Sequence, residues 1–187
     1  MNARVAIMTE EESMTAFLRH VLPVVFPERV QNVDWLMIQH RGKSELEASM
    51  ARKIRAWREP HSRFLIARDN DGADCKALKA RLVSLLPDPP LPPYRVRIVC
   101  QQLESWLLGD PDALAAAYPQ ARRHPSFRSW TRPDPDKLPN AAELIHHLTG
   151  TRAKVTRADA IARYMDPARN RSRSFRVFLE GMEALLA

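Results

Sequence analysis

Apolar positions along the chain alternate between short continuous runs and longer stretches at helical spacing. Residues 4–8 form one run; Glu10, Glu11, Glu12 and Ser13 follow, and then Met14, Phe17, Leu18, Val21 and Leu22 recur at intervals of three and four. That order predicts a strand, an acidic turn and a helix, which Pro23 and Pro27 should end. Residues 35–39 predict a second strand. The loop His40-Arg-Gly-Lys43-Ser44 then leads into a helix with Ser44 as N-cap, Glu47 closing a capping box, and Leu46, Met50, Ile54 and Trp57 on the buried face. The Gly-Lys-Ser lacks the glycine that a phosphate-binding P-loop carries upstream, so that motif is rejected.

A third strand is expected over residues 63–68, followed by Asp69-Asn-Asp71-Gly72 and a helix over 75–86 capped by Asp74. The proline cluster at 87–93 reads as a rigid surface connection. It leads to residues 94–100, whose apolar and basic residues alternate as in a strand near a sheet edge. Strands and helices in alternation imply an α/β fold: a Rossmann-like, mostly parallel four-stranded sheet with helices on both faces. After Cys100 the spacing is helical, through Leu103, Trp106 and Leu107, a helix opening at Pro111, and further helices over 141–148, 156–164 and from Ser172 or Ser174 onward. Residues 119–140, rich in proline and arginine, read as a long loop or lid. The expected division is an α/β domain over 1–109 and a helical extension over 110–187 packed on it.

Composition adds a location for charge. The net charge is +7, and residues 151–176 hold eight basic side chains (Arg152, Lys154, Arg157, Arg163, Arg169, Arg171, Arg173 and Arg176) against Asp159 and Asp166. Nucleic acid or another polyanion is the partner such a cluster fits. Arg171 and Arg173 precede the last helix, where backbone amides with Arg169 and Arg176 nearby would make a phosphate seat. No secretory leader and no long apolar span is seen, from which a cytoplasmic protein without a membrane partner is expected. Cys75 and Cys100 lie far apart in sequence and indicate neither a zinc site nor a disulfide framework.

In a parallel sheet, ligands bind beyond the carboxyl ends of the strands. Glu10, His40, Lys43, Asp69 and Asp71 all fall there. Residues two apart in an extended segment point the same way, so Asp69 and Asp71 can share a target, and hard oxygen ligands suit Mg²⁺ (or Mn²⁺). Each feature also has a structural reading. The tetrapeptide at 69–72 can be a solvated turn, Glu10 to Glu12 can complement a helix dipole, His40 can be a packing residue rather than a general acid, and Glu104 can lie on a polar helix face rather than at the site.

Five motifs carry a resemblance: Glu10-Glu11-x-Ser13-Met14-x-Ala16-Phe17-Leu18, His40-x-Gly42-Lys43, Arg68-Asp69-x-Asp71-x-x-Asp74-Cys75, Leu103-Glu104-x-Trp106-Leu107-Leu108-Gly109-Asp110 and Asp166-Pro-x-Arg169-Asn170-x-Ser172-x-Ser174-Phe175. In this order, from about Val5 to Phe178, they resemble a bacterial family of unknown function related to Toprim domains. The resemblance implies a Mg²⁺-dependent, nuclease-like protein with Glu10, Asp69 and Asp71 as metal ligands; Lys43 and Arg68 are then expected to offset negative charge. It also implies an ABC-type ATPase partner in bacterial antiviral defence. Glu11 stands where Toprim domains usually carry glycine, which leaves Glu10 and Glu11 as alternative ligands. The other function classes are a non-catalytic module docking on an ATPase and a small-nucleotide binder on the same edge.

Overall fold

The computed structural model describes residues 4–86 and 92–187. The proline-rich connection falls mostly on residues 87–91, outside the described residues. Four parallel strands, β1 (Arg4–Thr9), β2 (Trp35–Gln39), β3 (Ser62–Asp69) and β4 (Tyr94–Val99), form one sheet in the order β2-β1-β3-β4. The central strands read as unbroken apolar runs because both of their faces are covered. Val5 and Ile7 of β1 and Leu65 and Ala67 of β3 face one core; Ala6, Met8, Phe64 and Ile66 face the other.

Helices α2 (Lys43–Ala56) and α3 (Cys75–Ser84) cover the second face through Leu46, Met50, Ile54, Leu78 and Leu82. The first face receives α1 (Glu12–Val25) and, from the far end of the chain, α9 (Arg173–Leu186). Phe175 and Phe178 of α9 meet Trp106 of α4 (Leu103–Leu108) with ring centroids 5.3 and 5.2 Å apart, and Phe17 of α1 lies 5.9 Å from the same indole. Trp106 Nε1 donates to Ser174 Oγ at 2.8 Å, so the ring is buried with its polar end satisfied. Helices α5 (Pro111–Ala117), α7 (Ala141–Thr149) and α8 (Lys154–Ala162) complete this layer, with α8 lying along α1. The apolar core is therefore continuous across residue 110, and residues 110–187 supply part of the covering of the sheet itself.

Several local expectations are corrected. Pro23 lies inside α1, which continues to Val25, because a proline near a helix end removes one amide and disturbs only the turn before it. The N-cap of α2 is Gly42, at φ 111°, not Ser44; Glu45 reaches back to the Arg41 amide at 2.7 Å, and Glu47 binds arginines instead of closing a capping box. The anticipated lid over 119–140 is structured. It holds 3₁₀ turns at Pro119–Arg123 and Pro135–Lys137 and a short helix α6 (Phe127–Trp130), pinned by buried Ala121, Trp130 and Leu138. Asp136 of this segment accepts the Ser174 amide at 2.7 Å and the Ser172 hydroxyl at 2.6 Å, closing the start of α9.

Asp136→Ala should lower stability by about 2 kcal/mol, the cost of a lost cap with buried donors left unpaired, measured by urea unfolding. A chain ending at Gly109 should show no cooperative unfolding transition by circular dichroism. Helices α1 and α4 remain, but losing α9 uncovers the part of the first face on β3 and β4, including Leu65 and Val99, at roughly 1.5–3 kcal/mol each against a total stability of roughly 5–15 kcal/mol.

Candidate active site

The chain leaves β1 towards β2 on one side and enters β3 on the other, so the sheet order reverses between β1 and β3. Such a reversal leaves a crevice at the carboxyl ends of the two strands, and Glu10 and Asp69 meet in it. The Asp69 amide donates to Glu10 Oε2 at 3.0 Å. One Asp69 carboxylate oxygen, Oδ2, accepts from the Leu103 amide at 3.2 Å, and the other, Oδ1, is buried with no hydrogen-bond partner among the described residues. Burial pushes the Asp69 carboxyl well above its ordinary value, and the Glu10 charge adds to this. Burial also raises Glu10, which Arg68 and the Asp69 amide only partly offset.

Asp71 goes elsewhere. Strand β3 ends at Asp69, and Asp71 adopts a left-handed backbone, φ 49°, beside Gly72 at φ 82°, so the alternation that would aim it with Asp69 no longer applies. Asn70 fixes this bend: its side chain donates to the Ala73 carbonyl at 2.6 Å and accepts from the Gln101 amide. Asp71 Oδ2 instead takes Lys43 Nζ at 3.1 Å and Arg68 Nη1 at 3.3 Å. Burial alone would raise its carboxyl, but these two cations hold it below the ordinary value.

Arg68, nearly buried, stands between the acids. Its Nη1 also lies 3.5 Å from Glu10 Oε2, and its Nε lies 3.3 Å from Glu47 Oε1. Glu47 in turn receives two 2.8 Å bonds from Arg81, which hold its carboxyl below the ordinary value. Lys43, Arg68 and Arg81 border an open cleft of about 400 Å³ beside Asp71.

The other expected residues separate. Glu11 accepts from Ser13 Oγ at 2.8 Å and pairs with Lys154 Nζ at 3.3 Å. Asp74 caps α3 through the Ala77 amide at 2.7 Å. The His40 ring is buried, with Nδ1 2.9 Å from the Thr9 carbonyl and Nε2 2.7 Å from Lys53 Nζ; burial, then the Lys53 charge, lowers its basicity. A neutral ring that donates from Nδ1 and accepts at Nε2 satisfies both contacts. Glu104 is buried against Arg157 at 2.7 Å rather than on a polar face.

Arg169 pairs with Asp110 at 3.0 Å, Arg171 donates to the Pro133 carbonyl at 3.1 Å and Arg176 to the Asn170 carbonyl at 3.2 Å. Arg173 is exposed. The amides expected to seat a phosphate at the start of α9 are taken by Asp136 and by Ser172 Oγ.

Lys154 was not anticipated at the site. It opens α8 and sits over the acids: burial would lower its basicity, but Glu11, Glu104 and Asp69 raise it on balance. A lysine in the first turn of a helix opposes the macrodipole, and that mismatch is the signal the sequence carried.

Among the described residues, no three of His, Cys, Asp and Glu converge in a metal-binding group. Glu10 and Asp69 nonetheless fit a hard divalent cation in chemistry: two partly desolvated carboxylates, one with a buried oxygen that lacks a partner. The matching family model, a domain of unknown function designated DUF4276, spans residues 9–183 and so takes in this whole edge together with α8 and most of α9. The chain belongs to the DUF4276 family. No curated protein matches it.

Among solved structures, this DUF4276 chain is similar to the C-terminal region of the Burkholderia pseudomallei OLD protein, with a TM-score of 0.62, 18% identity and 100% of both chains covered. It is also similar to the C-terminal region of the Xanthomonas campestris pv. campestris OLD protein, with a TM-score of 0.56, 15% identity, and 98% of this chain and 96% of that one covered. At these identities the likeness is one of fold. No helix among the described residues is long and apolar enough to cross a membrane.

The unpartnered oxygen makes a stability prediction for the DUF4276 chain. A carboxyl raised by folding contributes stability that is fully present below its ordinary value of 3.8 and is lost as pH rises through its folded value. Asp69→Asn should therefore match wild type near pH 3 and exceed it by about 1 kcal/mol at pH 7, in paired urea titrations. A difference that does not change with pH would exclude the buried charge as its cause.

Proposed function

We propose that this protein is a Mg²⁺-dependent, Toprim-type nuclease acting on nucleic-acid phosphodiesters. The observation that carries the reading is the Glu10–Asp69 pair at the reversal of the sheet, with Asp69 desolvated and one of its oxygens left without a partner. A stable fold does not need such an oxygen, and a buried carboxylate of this kind marks functional sites. The similarity to the C-terminal regions of OLD proteins supports the same reading, since overcoming-lysogenization-defect nucleases carry Toprim domains.

In this reading Glu10 and Asp69 would hold the metal, which would supply Lewis-acid chemistry towards a phosphodiester and water. Asp71 would add a third carboxylate only if released from Lys43 and Arg68. Lys43 from one side and Lys154 from the other offset the charge of the phosphate, and the cleft bordered by Lys43, Arg68 and Arg81 receives the neighbouring backbone. Glu11, paired with Lys154, positions that lysine. His40 holds the end of β2 against Thr9 and moves no proton. Glu104 anchors Arg157 behind Asp69.

Calorimetry tests the metal. Mg²⁺ and Mn²⁺ should bind wild type and fail to bind Asp69→Ala/Asp71→Ala; equal binding would remove the site. Turnover is expected with an ABC-type ATPase partner, as the family resemblance implies, and little from the chain alone. The assay digests DNA and tRNA-rich RNA with and without that partner, with Glu10→Ala and Asp69→Ala as controls. If the partnered complex keeps its biological activity without both carboxylates, the non-catalytic docking reading takes its place.

Arg169, paired with buried Asp110, is structural: Arg169→Ala should lower stability and leave the salt slope of DNA binding unchanged.

A further inference from the structure

Strand β4 is at the edge of the sheet, and among the described residues it pairs only with β3. The Phe64 amide donates to the Pro93 carbonyl at 2.9 Å and the Asn70 amide to the Val99 carbonyl at 3.0 Å. Odd-numbered residues of β4 therefore turn their backbone groups towards β3, and Val96, Ile98 and Cys100 turn theirs outward. The Cys100 amide is taken by Ser174 Oγ at 3.2 Å, and the Val96 carbonyl accepts from Arg97 Nη1 at 3.3 Å. The amides of Val96 and Ile98 and the carbonyl of Ile98 have no partner among the described residues.

This edge is the floor of an open groove of about 440 Å³ between α3 and α9. Lys76 and Lys79 rise from one wall and Arg173 from the other, all three exposed. The acid that borders it, Asp136, is committed to Ser172 and Ser174. Two outward amides and one carbonyl on an apolar floor, with Val96 itself only 2% exposed, bordered by cations on both sides, suit one kind of occupant. Two copies of this edge would bring like charges together, and an outward carbonyl opposes the phosphates of a nucleic-acid strand.

We propose that the open edge of β4 takes an extended acidic segment of a partner protein as a fifth strand, held by main-chain hydrogen bonds at Val96 and Ile98 and by Lys76, Lys79 and Arg173. Main-chain bonds supply affinity in such strand addition, and the flanking charges select the partner. The surface is separate from Glu10 and Asp69, so it stands whether or not the protein cleaves nucleic acid.

The test is fluorescence polarisation of a labelled peptide alternating valine and glutamate on the full chain. A valine–lysine peptide and oligothymidylate of the same length serve as comparisons, with amide spectra recorded by NMR. The acidic peptide should bind saturably and shift the Val96 and Ile98 amides, and the basic peptide should not bind. Lys76→Glu/Lys79→Glu should weaken binding by about tenfold or more. Ile98→Pro removes one outward amide at an edge position that tolerates proline and should abolish binding; the charge variant decides the matter if the proline variant misfolds. No saturable binding, shifts confined to other amides, stronger binding of oligothymidylate at the same amides, or a dimer formed through this edge would each overturn the proposal.

Discussion

Arg68 is a guanidinium with almost no access to water, and its donors must be met by acceptors inside the protein. Glu47 of α2 and Asp71 beyond β3 accept hydrogen bonds from it, and Glu10 after β1 adds an ion pair at 3.5 Å. That requirement fixes the relative placement of the two central strands at their carboxyl ends, and through Glu47 and Arg81 it extends to α3. It also decides which acids face one another. With Asp71 drawn to Arg68 and Lys43, Asp69 is left with Glu10 and Leu103, buried and short of one hydrogen bond. The electrostatic character of the crevice thus follows from where one arginine finds its partners.

The C-terminal helices share in this arrangement. Lys154 and Arg157, three residues apart on α8, reach Glu11 and Glu104 respectively, so the acids behind and beside Asp69 are answered from a helix far along the chain. Opposite charges spread over both halves make the edge a joint product of the α/β part and the helices that cover it.

Most of the α/β framework was legible because its strands are buried on both faces and leave continuous apolar runs, as at 64–67, while the helices leave spaced ones. The Asp74 cap and the edge position of β4 were legible for similarly local reasons. Contacts that depend on long-range meeting were not. Glu47 fits a capping box by spacing, but Arg68 and Arg81, far away in sequence, compete for it and win because charge-assisted pairs are stronger than a cap. Asp71 lost its alternation with Asp69 to a left-handed bend held by Asn70 and Gln101, which lie on different segments. Cys75 and Cys100, far apart in sequence, lie with their sulfurs 3.4 Å apart as free thiols, and burial followed by the Cys75 contact pushes the Cys100 thiol up to about 12.

The covering of the first sheet face by α9 also constrains the order in which the molecule can assemble during synthesis. Strands β1 to β4 leave the ribosome well before Phe175, Phe178 and Met182, which share one core with Val5, Ile7 and Leu65. Until α9 has been made, the part of this face that it covers stays wet, and domains generally fold as units when their full core is available. Completion of the crevice between β1 and β3 then waits on α9, which follows all four strands in the chain.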